Sequence, residues 1–320
     1  MTETELKSEI SRLRKEKNAV IMAHYYQTKD IQETADFIGD SLALAQQAKR
    51  TAADIIVLCG VHFMGETAKI ICPDKKVLVP DINAGCSLAG SMSAKDLSEY
   101  RNNHPDHMVV SYVNTTAEVK ALTDICVTSS NARKIIDLLP SDSKILFGPD
   151  RNLGNYINSV TGRSMDLWNG ACHVHERFSV EALVQLKKDH SKAKILAHPE
   201  CKVAVVKIAD VVGSTKALLD YAIKSDEKEF IVATESGILF EMQRNCPNKT
   251  FIPVPPESAE QFDEKGNMIP CACNECNYMR MNTLEKLYIC LRDETNEIKV
   301  DKAVADKAIV CINRMLEMSN

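Results

Sequence analysis

No stretch of this 320-residue chain approaches the roughly 18 consecutive apolar residues that a membrane-spanning helix needs. The opening residues, Met1-Thr-Glu-Thr-Glu-Leu-Lys, are polar and helix-like and lack the apolar core of a secretory leader. Nor is there an excess of positive charge. The 39 Lys and Arg stand against 44 Asp and Glu, a net charge of −5, which argues against nucleic acid or an anionic membrane as the main partner. Low-complexity tracts are absent as well. Together these absences predict a cytoplasmic globular protein with neither a membrane nor a nucleic-acid partner. Its 45% hydrophobic and 26% charged residues are ordinary for that class. The length suits two or three domains.

Cysteine, by contrast, is plentiful, with 12 in the chain. In a reducing cytosol such a number points to metal binding or catalysis rather than a disulfide framework. Cys59, Cys126, Cys290 and Cys311 sit among apolar neighbours and read as small buried hydrophobes. Cys72 and Cys246 share a Cys-Pro-Asp/Asn-Lys context and read as one inherited turn.

The cysteines belong to a larger repeat. Short apolar runs end in His24-Tyr-Tyr26, Tyr112-Val-Asn114 and His198-Pro-Glu200, spaced by 88 and 86 residues. Each is followed by a second polar cluster, Gly39-Asp-Ser41, Thr128-Ser129 and Gly213-Ser-Thr215. Cys86 and Cys172 are again 86 apart, and a late group follows at Cys271, Cys273 and Cys276. Three copies of one unit imply a pseudo-threefold molecule with one site at its centre.

Within each unit, short β-capable apolar runs alternate with helical spacing, the signature of an α/β layer with a parallel sheet. The fold class expected is therefore α/β. Three related three-layer units, short parallel sheets flanked by helices, surround a central active site. The boundaries expected are 1–86 with 270–320, 87–172 and 173–269. In the first unit Ala19–Ala23, Asp54–Leu58 and Lys76–Pro80 read as strands, and Ile31–Ile38, Leu42–Ala48 and Met64–Ile71 as helices. Pro253–Asn267 reads as an exposed Pro-rich connection, and residues 282–320 as a helical return onto the first unit. Val61-His-Phe-Met-Gly65 reads as a mobile loop over the site.

Polar clusters at the carboxyl ends of parallel strands are where open α/β sheets bind ligands. His24, Tyr26, Tyr112, Asn114, His175, His198 and Glu200 are proton-transfer or oxyanion-donor groups in those places. Ser41, Ser129, Ser214 and Thr215 precede helical patterns. They are candidate N-caps, and hydroxyls at helix N-termini also hold carboxylates or phosphate. Cys271-Ala-Cys-Asn-Glu-Cys276 taken alone suggests zinc or an iron–sulfur centre. The repeat offers one thiolate per unit instead: Cys86, Cys172 and one of the late group. Three thiolates would leave an iron with an open position, able to act as a Lewis acid. On residues alone, the reading stops at an iron–sulfur hydro-lyase for an anionic substrate. A second class, a non-catalytic metal-binding module with zinc on the late cysteines, leaves the triplicated His, Tyr and Ser unexplained.

The motifs Ala23-His-Tyr-Tyr-Gln27, Gly39-Asp-Ser41, Cys59-Gly-Val-His-Phe-Met-Gly-Glu-Thr-Ala-Lys69, Tyr112-Val-Asn-Thr115, His198-Pro-Glu-Cys201, Gly213-Ser-Thr215, Ala233-Thr-Glu235 and Met281-Asn-Thr-Leu-Glu285 are distinctive. Over nearly the whole chain they resemble the quinolinate synthase family. That resemblance implies a [4Fe–4S] cluster bound by Cys86, Cys172 and Cys276. Cys276 is preferred within its group because it immediately precedes Asn277-Tyr-Met-Arg-Met-Asn282. Some members carry Cys-x-x-Cys-x-x-Cys here, whereas this chain has Pro270 at the first position. The resemblance implies condensation of iminoaspartate with dihydroxyacetone phosphate to quinolinate, phosphate and water, on the route to NAD. It implies a functional link to L-aspartate oxidase or aspartate dehydrogenase. It also points to His24, Ser41, Tyr112, Asn114, Ser129, His175, His198, Glu200, Ser214 and Thr215 as substrate-binding groups. Tyr26, Glu200 and His198 are the catalytic groups it implies.

Overall fold

The first strand of each repeat is a run with little besides apolar side chains, and each is an interior strand of its own sheet. A computed structural model describes residues 1–257, 260–262, 268–270 and 274–319. The chain divides into two bodies, Met1–Gly170 with Asn277–Asn320, and Ala171–Cys276.

The first body holds two four-stranded parallel sheets. One contains β1 (Ala19–His24), β2 (Phe37–Gly39), β3 (Ile55–Cys59) and β4 (Lys76–Leu78), in the order β2-β1-β3-β4. The other contains β5 (Met108–Tyr112), β6 (Ile125–Val127), β7 (Ile145–Gly148) and β8 (Asp166–Leu167), in the order β6-β5-β7-β8. The second body repeats the plan with β9 (Lys194–Ala197), β10 (Val211–Val212), β11 (Glu229–Ala233) and β12 (Thr250–Pro253), ordered β10-β9-β11-β12. The chain is thus an α/β protein of three similar units. In each sheet the chain leaves the first strand to one side and returns on the other. The crossover point therefore lies beside the carboxyl end of β1, β5 or β9, where such sheets bind ligands.

Three expectations change, two in the strands and one in the expected lid. The span 31–38 is not one helix. A short helix, Lys29–Thr34, ends at Ala35, and Phe37–Gly39 is an edge strand paired with β1 from Met22↔Phe37 to His24↔Gly39. Helical spacing in so short an apolar run also suits a strand edge. The Pro-rich connection 253–267 includes a strand, β13 (Glu260–Phe262), which pairs antiparallel with β14 (Met268–Pro270) just beyond it.

An aspartate locks each edge strand in register. Asp36, Asp124 and Asp210 stand just before β2, β6 and β10. Their Oδ2 atoms accept the backbone N–H of Ile21, Val109 and Ile195 at 2.9, 2.8 and 2.8 Å. Their own amides donate to the carbonyls of the same three residues. A cation steadies each carboxylate: Arg14 on Asp36, Arg101 on Asp124 at 2.9 Å, and Lys194 on Asp210 at 3.6 Å. The Cys72 and Cys246 contexts also match. Each cysteine carbonyl accepts the amide three residues on, Lys75 and Lys249, at 3.1 Å.

In the first body the helix Glu3–Glu16, with its Thr2 capping box, lays Leu6, Ile10 and Leu13 against Leu284, Leu287, Cys290 and Leu291 of the helix Leu284–Asp293. Residues 296–298 then run antiparallel along β4, through Val79 N–H to Asn296 O and Ile298 N–H to Val77 O. The last helix, Lys302–Met318, packs on β6 and on the helices His62–Ile71 and Ala117–Lys120. The supposed lid is part of this packing. Residues 62–71 are helical, Phe63 and Met64 are buried, and a Cβ on Gly65 would meet Ile298 and Val79 at 2.8 and 2.9 Å. No helix among the described residues is long and apolar enough to cross a membrane.

The aspartate hook carries a stability prediction. Asp124→Ala leaves the Val109 N–H in the buried strand without its side-chain acceptor, at a cost of about 1–3 kcal/mol. The denaturant midpoint should fall accordingly, and an unshifted midpoint would show that the hook is ornamental.

Candidate active site

In the second body β9 ends at Ala197, and the chain turns through His198-Pro199-Glu200. His198 N–H donates to Ala233 O at 3.0 Å, prolonging the ladder one residue past the strand. Glu200 N–H then donates to His198 Nδ1 at 3.3 Å, so that nitrogen is the acceptor and Nε2 carries the proton. His175 arrives from a short 3₁₀ turn, His175–Arg177, that follows Cys172. Its Nδ1 lies 3.2 Å from Cys172 Sγ and 3.1 Å from Glu200 Oε2, and its Nε2 is 2.9 Å from Thr234 Oγ1. The His175 and His198 rings lie 4.7 Å apart, tilted by 32°. All three of His175, His198 and Glu200 are at most 3% exposed. A carboxylate so buried beside two imidazoles is placed to exchange protons with a ligand rather than with bulk water.

The donor atoms of Cys172, His175 and Glu200 lie within 4.8 Å of one another, a group of the kind that holds a metal ion. Thiolate and imidazole favour zinc or iron over magnesium or calcium.

The first body repeats the histidine device. His24 Nδ1 accepts the Tyr26 N–H at 3.1 Å, leaving Nε2 as donor, and the Tyr26 ring packs edge-on at 4.6 Å. The Tyr26 carbonyl is held by Arg280 at 2.6 Å. At the end of β5, Tyr112 is buried, and Val113 N–H bonds Val127 O at 2.8 Å. The Oδ1 of half-buried Asn114 is enclosed without a hydrogen-bond partner. It is an acceptor in want of a donor.

The hydroxyls fall differently from the capping expectation. Ser214 caps the helix Thr215–Lys224 through Ala217 N–H at 3.2 Å, and Thr215 is its first residue. Ser41 is not a cap. Asp40 takes that place, accepting Ala43 N–H at 2.9 Å, and its other oxygen accepts Ser130 Oγ–H at 2.5 Å. Ser129 sits in the turn before a helix whose cap position is Asn131. A carboxylate beside the hydroxyl is the better acceptor, so it wins the amide and leaves the Ser41 hydroxyl to other partners.

The cysteines separate by exposure. Among the described ones, Cys59, Cys72, Cys126, Cys201, Cys246, Cys290 and Cys311 are buried, whereas Cys86, Cys172 and Cys276 are half-buried. Burial pushes the Cys290 thiol up to about 12, and Cys59 also goes up, the behaviour of inert thiols. Cys276 is fixed through its backbone, its N–H donating to Glu235 Oε1 at 3.1 Å while Glu235 Oε2 accepts Gly237 N–H at 2.7 Å. Cys271 and Cys273 lie outside the described residues. The glycines before the thiols serve protein packing. A Cβ on Gly170 would meet Ser91 Oγ at 2.3 Å, and one on Gly85 would press on Tyr278 at 3.3 Å.

Several supporting groups escape a reading based on polar strand ends. Glu235 and Thr234 hold Cys276 and His175 from the end of β11, and only the quoted Ala233-Thr-Glu235 hinted at them. The three hook aspartates were findable, because 36, 124 and 210 repeat the 88- and 86-residue spacing of His24, Tyr112 and His198.

Triplicated parallel sheets whose first strands end at, or just before, His24, Tyr112 and His198, with a thiol–imidazole–carboxylate group beside one of them, define an α/β protein with a candidate metal-dependent active site. The family model described as Quinolinate synthetase A protein matches residues 8–317. Proteins named quinolinate synthase from Microcystis aeruginosa and Chloroherpeton thalassium are 55% and 51% identical, over 97% and 100% of this chain and 94% and 96% of their own lengths. One of that name from Synechocystis is 54% identical over 97% of this chain and 94% of its own length. The chain belongs to the quinolinate synthetase A family, a family of enzymes.

Proposed function

We propose that this enzyme condenses iminoaspartate with dihydroxyacetone phosphate to form quinolinate, releasing phosphate and water, in NAD biosynthesis in the cytoplasm. The observation that carries this reading is the group formed by buried Glu200 and His175 with half-buried Cys172, in a chain 51–55% identical to proteins named quinolinate synthase. Iminoaspartate is labile. It would come from an enzyme that oxidises aspartate at nitrogen, an L-aspartate oxidase or aspartate dehydrogenase.

Cys86, Cys172 and Cys276 would hold a [4Fe–4S] cluster. Three soft thiolates suit it, and these three are the described cysteines that burial leaves partly open. Bound there, the cluster would supply Lewis-acid chemistry toward a leaving hydroxyl. Under this assignment the thiol of Cys172 belongs to the cluster, and His175 Nδ1 steadies its sulfur while Nε2 is fixed by Thr234.

The remaining steps belong to side chains. Glu200 takes a proton from the carbon beside the imine or carbonyl, and His198, with its proton on Nε2, donates to a developing oxyanion. Tyr26 returns or removes a second proton at its phenolic oxygen. His24 Nε2–H and the Tyr112 hydroxyl donate to substrate carboxylates. The enclosed Oδ1 of Asn114 accepts an imine N–H. Ser41, Ser129, Ser214 and Thr215 hold carboxylate or phosphate oxygens; Ser214 and Thr215 do so beside the amides of a helix N-terminus. The hydro-lyase alternative has no observation of its own in its favour.

Anaerobically purified, iron-loaded protein given iminoaspartate and dihydroxyacetone phosphate should form quinolinate and lose the activity in air. Cys172→Ala should lose the cluster's visible absorption and its iron. Full metal retention by that variant, or a cluster-bearing parent that makes no product, would remove this reading. Glu200→Gln should keep its iron while turnover drops about 10²–10⁴-fold. Undiminished turnover would take Glu200 out of the chemistry. The double variant Ser214→Ala, Thr215→Ala loses hydrogen bonds to charged oxygens and should raise KM about 10–100-fold with a smaller effect on kcat. A KM equal to the parent's would leave these hydroxyls as helix-end groups only.

A further inference from the structure

Lys120 is fully buried, the largest such side chain in the described structure. It ends the short helix Ala117–Lys120. Burial pulls its pKa down, and the neighbouring groups Cys126, Glu66 and Cys311 favour its charged form. Its Nζ donates to the Thr115 carbonyl and lies 5.4 Å from the Phe63 ring centre. The Glu66 carboxylate, 8% exposed on the helix His62–Ile71, is the acidic member of the cluster. Burial raises its pKa, against the pull of Lys120 and His62.

Both charged groups end on the same stretch of backbone. Glu66 Oε2 accepts the Ala117 N–H at 3.0 Å, while Lys120 holds the Thr115 carbonyl two residues earlier. Thr115 passes the constraint on. Its hydroxyl donates to the Tyr112 carbonyl at 3.1 Å and its amide to the Val113 carbonyl at 2.8 Å. Tyr112 and Asn114 lie on this tethered turn. Buried charges are a poor source of stability, because apolar side chains of the same volume often do as well. They do what apolar packing cannot, which is to aim a carbonyl and an amide in fixed directions.

We propose that Lys120 and Glu66 are positioning residues that set the turn presenting Tyr112 and Asn114 to the anionic substrates. The inference rests on the reaction proposed above. It is tested on anaerobic, iron-loaded enzyme with Lys120→Met and Glu66→Gln, singly and combined. Iron content, melting temperature, quinolinate affinity by calorimetry, and KM and kcat are measured.

Each single change leaves one buried group without its partner and lowers the melting temperature. The combination removes both charges and regains much of that loss, with iron content unchanged. Quinolinate affinity in the combined variant stays at least ten-fold weaker than in the parent, and KM rises by a similar factor with a smaller change in kcat. A purely structural pair would regain affinity together with melting temperature, and that result overturns the proposal. Should the combined variant fail to accumulate, Thr115→Val cuts the link to the Tyr112 carbonyl without touching a charge. It should weaken quinolinate binding several-fold, and unchanged binding overturns the proposal equally. A parent that neither binds nor makes quinolinate overturns the proposed reaction, and this inference with it. A parent that does both while the combined variant matches it overturns the inference alone.

Discussion

A parallel sheet only a few residues long and covered by helices has no solvated face, so its chemistry is confined to the strand ends. The constraint is sharper here because each sheet runs second-first-third-fourth, which makes the first strand the point where the winding reverses. His24, Tyr112 and His198 occupy that point in their respective sheets, at or just past the last residue of β1, β5 and β9. The edge-strand register is what keeps them there. A one-residue slip would turn each side chain to the other face. The hooks of Asp36, Asp124 and Asp210 oppose that slip by tying the first strand's amide to the start of the second.

From that placement follows the local electrostatics. A strand end leaves an amide two residues on with no ladder partner, and in two of the three units a histidine Nδ1 takes it. The bond both satisfies the amide and selects the tautomer, so the histidine presents an Nε2 donor to whatever binds. Glu200 gains its position the same way, as the residue whose own amide makes that bond. His175 is oriented from the opposite side by Thr234 and joins Glu200 to the Cys172 sulfur. Backbone satisfaction and side-chain orientation are here one arrangement.

Much of this was legible in the residues. The spacing of His24, Tyr112 and His198 marks the three units and the apolar runs mark their main strands; spacing also singles out Cys86 and Cys172, the family resemblance adds Cys276, and all three are half-buried. Misreadings came where local pattern is ambiguous. Phe37-Ile38-Gly39 is too short for its period to tell an edge strand from a helix end. Val61–Gly65 reads as a mobile loop, yet residues 62–71 are helical and Gly65 lets Ile298 and Val79 close on that helix. Ser41 precedes a helical pattern and so reads as a candidate cap, whereas the adjacent Asp40 is the stronger acceptor and takes the place.

Sequence alone determined the triplication, the α/β class and the residue types at the strand ends, because period and spacing are properties of a single stretch of chain. Tertiary structure decided which groups meet. Among the described residues Lys120 is a fully buried cation, and it feels the charge of Glu66, a carboxylate 54 positions earlier. Cys126 and Cys311, which read as two unrelated apolar fillers, came to face each other at 3.0 Å across 185 residues. Burial and charge pairing of this kind depend on long-range packing, and the desolvation that gives them their energy exists only once the helices have closed over the sheets.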